Sequence, residues 1–135
     1  MLTAPLRVLV VDDEPAIRDA LRAVLEDLGG YAVDEAASLA EALAYLETSP
    51  GPLVALLDYL LPPDTTGPVL ERLNAEPALA ARVAAVAMPA TPSRLTERYR
   101  ALMRRLDIPL VPKPFDLDEL LRAIAERAAA LASRP

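Results

Sequence analysis

Short apolar runs alternate five times with amphipathic stretches in this chain, and few folds accommodate that order. Residues 6–11 form a Val-rich apolar run broken only by Arg7, which reads as a buried strand. Across 16–28, Ile17, Leu21, Val24, Leu25 and Leu28 recur at the 3.6-residue spacing of a helix with one buried face. Pro15 suits that helix's first turn, where no N–H is needed, and Gly29-Gly30 stops it. Residues 31–36 read as a second strand. Ser38-Leu39-Ala40-Glu41 is a capping box ahead of a helix striped by Leu39, Leu43 and Leu46. After the turn Ser49-Pro50-Gly51-Pro52, residues 53–57 are continuously apolar, end at Asp58 and read as a central strand. Val69, Leu70 and Leu73 mark a third helix and residues 83–88 a fourth strand. Leu95, Tyr99, Leu102, Met103 and Leu106 mark a fourth helix, with Pro92 near its start. Residues 108–111 read as a short fifth strand. Asp116-Leu117-Asp118-Glu119 is a cap signal for a last helix striped by Leu117, Leu120, Leu121, Ile124 and Leu131.

Strands separated by helices imply right-handed crossovers and a parallel sheet covered on both faces. The expectation is one α/β domain over residues 1–135, with its core at about 5–132 and a frayed tail at 133–135. A length of 135 residues suits one domain, and 53% apolar residues, 26 of them Ala, are incompatible with disorder. No apolar run approaches the ~20 residues of a membrane helix. Residues 1–11 lack the long apolar region and cleavage site of a signal peptide, so the expected setting is cytoplasmic, with no membrane partner. The absence of Cys removes disulfides and thiol chemistry, and the absence of His removes the usual neutral-pH base. A net charge of −6 argues against nucleic acid as a direct partner.

In such folds ligands sit at the carboxyl ends of the strands. The first strand ends in Asp12-Asp13-Glu14, the third in Asp58, and the fifth is followed by Lys113-Pro114. Like charges this close raise one another's pKa, and a hard divalent cation such as magnesium, which takes oxygen ligands, relieves them. Lys113 is the only Lys in the chain, and Pro112 and Pro114 bracket it. Each signal also has an ordinary reading. Asp12 and Asp13 suit the N-terminus of the first helix, Asp58 a solvated strand end, and Lys113 a surface position. Glu14 reads as a first-turn charge, Thr65 and Thr66 as loop polars, and Phe115 as packing against the last helix. Arg94, Arg98, Arg100, Arg104 and Arg105 read as a solvated helix face or as a docking face for an acidic partner.

Val10-Val11-Asp12-Asp13-Glu14-Pro15, Leu56-Leu57-Asp58 followed by Pro62, and Val111-Pro112-Lys113-Pro114-Phe115 together resemble the receiver domain of two-component response regulators. The resemblance covers nearly the whole chain. It implies a flavodoxin-like, doubly wound (βα)5 fold, with a five-stranded parallel sheet of order 2-1-3-4-5. It implies that Asp58 accepts a phosphoryl group from a sensor histidine kinase or phosphotransfer protein. Asp13, Asp58 and the carbonyl of Leu60 would hold magnesium directly, with Asp12 acting mainly through bound water. Lys113 would pair with Asp58 and then with a phosphoryl oxygen. The output would be altered binding of a downstream protein target, with at most slow self-dephosphorylation. Many receivers dimerise through the fourth helix and fifth strand, so a homodimer is left open.

Three departures stand out. Receivers usually carry Ser or Thr at the end of the fourth strand. Here Pro89 takes that slot, followed by Ala90 and by Thr91 as a substitute hydroxyl. The aromatic switch position on the fifth strand falls on Leu110. The loop from Asp58 to Gly67 is one residue longer than usual, and Pro62-Pro63-Asp64-Thr65-Thr66 should make it stiff at its start and polar at its tip. These departures keep open a second reading, a degenerate receiver that serves as a phosphorylation-independent interaction or dimerisation module. An aspartate-nucleophile phosphohydrolase would need a second acid where Leu60 stands, and no Gly-rich phosphate loop supports nucleotide binding.

Overall fold

Val8 to Val11 lie at the centre of the molecule because both faces of their strand are covered by helices. The structure, a computed structural model, describes residues 5–49 and 51–132. The proposed frayed tail, the first four residues and Pro50 of the Ser49–Pro52 turn lie outside the described residues. The elements run β1 (Arg7–Val11), α1 (Pro15–Asp27), β2 (Ala32–Ala36), α2 (Leu39–Thr48), β3 (Leu53–Leu57), β4 (Leu60–Leu61), β5 (Asp64–Thr65), α3 (Gly67–Ala75), α4 (Pro77–Ala80), β6 (Val83–Ala87), α5 (Glu97–Arg105) and α6 (Leu117–Ala132).

Four strands pair in parallel in the order β2-β1-β3-β6. Alternation along each strand divides the core into two layers. Leu9, Val11, Leu53, Ala55 and Leu57 pack with α2, α3 and α5, while Val8, Val10, Val54, Leu56 and Val86 pack with α1 and α6. Phe115 joins the second layer, in line with its expected packing role.

The local signals act largely as their chemistry predicts. Pro15 opens α1, and Gly30 follows it with φ at 67°, a left-handed conformation that favours glycine. The Ser38 hydroxyl accepts from Glu41 N–H at 3.2 Å, and the Glu41 carboxylate accepts from Ala37 N–H at 3.0 Å. Asp116 Oδ1 accepts from Glu119 N–H at 2.9 Å at the start of α6.

Three expectations need correction. The fifth strand is reduced to a single parallel bridge between Ala87 and Leu110, built from Ala87 N–H to Pro109 O at 3.0 Å and Val111 N–H to Ala87 O at 2.8 Å. Pro109 and Pro112 have no N–H to extend the ladder on either side. The fourth helix begins later than its apolar stripe. Pro92–Arg94 form one 3-10 turn, Leu95 is extended, and α5 starts after Thr96, whose hydroxyl accepts from Tyr99 N–H at 3.1 Å. The segment after Asp58 is a small antiparallel hairpin, β4 with β5, turning at Pro62-Pro63. The prolines therefore form its tip, and the polar residues form its returning strand.

Candidate functional site

Register brings the strand ends level. Val11 lies beside Ala36 and Leu57, and Leu57 beside Ala87, so Asp12, Asp58 and Met88 leave the sheet together. Hydrogen bonds continue the ladder one step past the strands. Asp12 N–H donates to Ala36 O at 3.1 Å, Asp58 N–H to Val11 O at 3.0 Å, and Met88 N–H to Leu57 O at 2.8 Å. Lys113 N–H donates to Pro89 O at 3.0 Å, which fixes the lysine's backbone at the same edge.

The side chains then converge. Asp12 and Asp58 are buried, 2% and 8% exposed, while Asp13 faces solvent. Asp12 Oδ1 accepts from Glu14 N–H at 2.9 Å, and its Oδ2 accepts from Lys113 Nζ. Asp12 thus performs the helix-start role and also joins the cluster. Lys113 Nζ stands 3.2 Å from Asp58 Oδ2, while Asp58 Oδ1 accepts from Tyr59 N–H at 2.8 Å. Among the described residues the Asp13 carboxylate has no protein partner.

Burial pushes the Asp58 carboxyl above its ordinary value; Lys113 opposes this and Asp12 adds to it. For Lys113, burial works against the charge, but the hydrogen bond to Asp12 and the charge of Asp58 outweigh it and hold the ammonium above its ordinary value. One oxygen each from Asp12, Asp13 and Asp58 lies within 4.8 Å of the others. Three hard oxygen donors, with one ammonium among them, fit a magnesium-sized dication and suit no soft metal. Leu60 lies on β4, beside the same cleft as Asp58.

Residues 8–125 match the family described as the response regulator receiver domain. The chain belongs to that family. This receiver is 33% identical over 121 residues to response regulator Rre1 of Synechocystis sp., a match taking in 88% of this chain and 50% of that protein. It is 34% identical over 122 residues to the transcriptional regulatory protein DltR of Streptococcus agalactiae, taking in 90% of this chain and 51% of that one. The receiver spans about half the length of these curated relatives. In fold it is similar to a CheY-like receiver domain protein from Methanospirillum hungatei JF-1, with a TM-score of 0.79, 25% identity, and 96% and 98% of the two chains covered. The Vibrio cholerae chemotaxis protein CheY4 shares the fold, with a TM-score of 0.74 at 22% identity, and 92% and 99% covered.

Asp12, Asp13, Asp58 and Lys113, singled out in the sequence, meet at the edge of this receiver. Pro89, Ala90, Thr91 and Leu110, expected as switch positions, make no hydrogen bond to the Asp58 or Lys113 side chain among the described residues. Pro89 is buried beside Asp58, and Ala90 and Thr91 line the same cleft. Leu110 is 37% exposed and carries no hydroxyl.

Sequence reasoning missed a connection behind Asp58. Thr66, read as a loop polar, is fully buried. Its hydroxyl donates to Asp58 O at 2.6 Å and lies 2.8 Å from the Tyr99 hydroxyl on α5. With its one proton given to the carbonyl, Thr66 accepts from Tyr99. Burial pushes the Tyr99 phenol up to about 12, so it stays a donor at neutral pH. Its ring meets Tyr59 edge to face, with centroids 4.8 Å apart. A Tyr within an apolar stripe signals only burial; its partner, 33 residues away, left no local trace. Arg18 was also missed. It donates to Asp12 O at 2.9 Å and to Glu35 Oε1 at 2.9 Å, bracing the end of β1.

Proposed function

We propose that Asp58 is the phosphoryl acceptor of this receiver and that Lys113 is its charge partner. The observation that carries this reading is the meeting of Lys113 with both Asp12 and Asp58 at the level strand ends. A carboxylate oxygen of Asp58 attacks the phosphorus of a phosphohistidine. The P–N bond breaks and its electron pair leaves with the imidazole nitrogen, while a P–O bond forms. Lys113 donates to a phosphoryl oxygen, and the rigid backbone at Pro89 and Pro114 keeps its ammonium in place. Asp13, Asp58 and the Leu60 carbonyl would hold magnesium directly, with Asp12 acting through water. When bound, that ion supplies positive charge to the phosphoryl oxygens.

The donor on this reading is a sensor histidine kinase or phosphotransfer protein in the cytoplasm, and the output is a protein target rather than DNA bound directly. Residues 5–132 form the receiver core. Among the described residues no helix is long and apolar enough to cross a membrane. The output is atypical, because Pro89 offers no hydroxyl and Leu110 no aromatic ring; the Thr66–Tyr99 link to α5 supports a different route. The same two residues favour a second reading, a degenerate module that binds partners without phosphorylation.

Incubation with magnesium and acetyl phosphate, read by intact mass beside Asp58→Asn, separates the two. Gain of one phosphoryl group by the parent alone supports the acceptor. No gain, with magnesium also failing to bind, supports the module.

A further inference from the structure

The cleft beside Asp58 has a volume of about 70 Å3, and Tyr59, Leu60, Pro89, Ala90, Thr91 and Arg94 complete its lining. Its walls carry one cationic side chain, Arg94, on the 3-10 turn Pro92–Arg94.

Of the basic-face arginines, Arg94, Arg104 and Arg105 have no side-chain hydrogen bond or ion pair among the described residues, and of these three Arg94 alone lines this cleft. Arg98 is held by Glu71 through two bonds of 3.0 and 2.8 Å, and Arg100 donates to Pro92 O at 2.6 Å. The Arg94 guanidinium has no hydrogen bond or ion pair among the described residues, while its backbone N–H is tied to Thr91 O at 3.0 Å. An anchored backbone with an uncommitted guanidinium is the arrangement a reversible anion contact requires.

The chemistry of transfer leaves a place for it. A phosphoryl group in transfer spreads its charge over three equatorial oxygens. Lys113 approaches from the side of Asp12. On the β6 side the first residue past Met88 is Pro89, which has no donor at all. Arg94 stands at that side of the cleft, and a planar guanidinium can give two N–H groups to one phosphoryl.

We infer that Arg94 is a catalytic residue of phosphoryl transfer in this receiver, closing onto the phosphoryl oxygens of Asp58 from the cleft wall in place of the hydroxyl donor that Pro89 has removed. The inference rests on the reading of Asp58 as acceptor. In the step itself Asp58 oxygen gains the P–O bond, and the donor's P–N or P–O bond breaks with its electrons leaving on the donor. Arg94 keeps its proton throughout.

The test measures the rate of phosphorylation by acetyl phosphate with magnesium, and the affinity for beryllofluoride by 19F NMR. The proteins are the parent, Arg94→Ala, Arg94→Lys, Arg105→Ala as a control of equal charge, and Asp58→Asn. The expected result is about a tenfold loss of rate in Arg94→Ala, below the 100-fold or more of a fully buried donor because Arg94 is exposed. Weaker beryllofluoride binding should accompany it, with Arg94→Lys between and Arg105→Ala like the parent. Arg94→Ala matching a phosphorylated parent in both measurements overturns the inference and leaves the acceptor standing. A parent as inert as Asp58→Asn overturns the acceptor reading and takes the inference with it.

Discussion

The acidic edge and the β6–α5 side of the same cleft are built by opposite means. At the edge, Asp12 and Asp13 follow β1, Asp58 follows β3 and Lys113 lies three residues past the Leu110 bridge, and parallel register together with that bridge brings the four to one place. On the β6 side stand Pro89 and Leu110, at the positions where the resemblance predicts a hydroxyl and an aromatic ring. The contact with α5 is made instead by Thr66 on the hairpin side and Tyr99 on the helix. The difference teaches that charge placement is tightly tied to the sheet, whereas the contact between the cleft and α5 depends on a long-range hydrogen bond between Thr66 and Tyr99.

Breaking the edge should have the largest effect. Asp58→Asn should abolish phosphoryl gain in intact-mass measurements while leaving the fold intact by circular dichroism. Lys113→Ala should slow phosphorylation by acetyl phosphate roughly 100-fold, the scale of losing one buried transition-state donor. An Ala variant that reacts at the parent rate would remove Lys113 from the mechanism and make the edge no different from an ordinary acidic surface.

Breaking the Thr66–Tyr99 link should act on stability first. Thr66→Val leaves the Asp58 carbonyl and the Tyr99 hydroxyl without their buried partner, and should cost about 1–3 kcal/mol in urea unfolding. Tyr99→Phe keeps the ring against Tyr59 and removes one bond, so it should cost about 1 kcal/mol. If both variants unfold like the parent, the link contributes nothing and the comparison loses its second half. Restoring the usual pair, Pro89→Thr with Leu110→Tyr, sharpens it from the other side. The expected outcome is little change in the difference between free and beryllofluoride-bound spectra of α5. A large new rearrangement would show that the two residues alone had silenced an ordinary switch.

The smallest effect lies away from both regions, at the start of the sheet. Tyr45 donates to Asp34 Oδ2 at 2.5 Å, and Arg7 pairs with the same oxygen. These contacts, Tyr45 first, hold Asp34 below its ordinary carboxylate value. A carboxyl depressed on folding contributes stability above its unfolded pKa, near 3.9, and loses it as pH falls through the lower folded value. Tyr45→Phe should therefore lower stability by a small amount at pH 7 to 8, and the difference from the parent should shrink as pH falls through the folded Asp34 value, as read by urea unfolding at each pH.

Much of the fold was legible because its signals are local. Apolar runs of four to six residues, the Ser38–Glu41 box and Pro15 each act within a turn or a strand. The acidic edge was legible for a related reason: Asp12, Asp13 and Asp58 stop apolar runs, so finding the strand ends finds them. Where local pattern met a competing backbone requirement, it misled. The run at 108–111 has strand composition, but Pro109 and Pro112 limit it to one bridge. Thr65 and Thr66 looked alike in sequence, yet only Thr66 is buried.

The sequence by itself determined the alternation of strands and helices, the two-layered core, and the charges that end β1 and β3. Period and charge need no knowledge of distant residues. The tertiary structure alone decided that Tyr99 and Thr66 form a hydrogen-bond chain to the Asp58 carbonyl, that Asp12 divides its oxygens between Glu14 and Lys113, and that Arg94 reaches the cleft without a partner. Those facts depend on which segments a long-range packing arrangement brings within hydrogen-bond reach, and a hydrogen bond has no period along the chain.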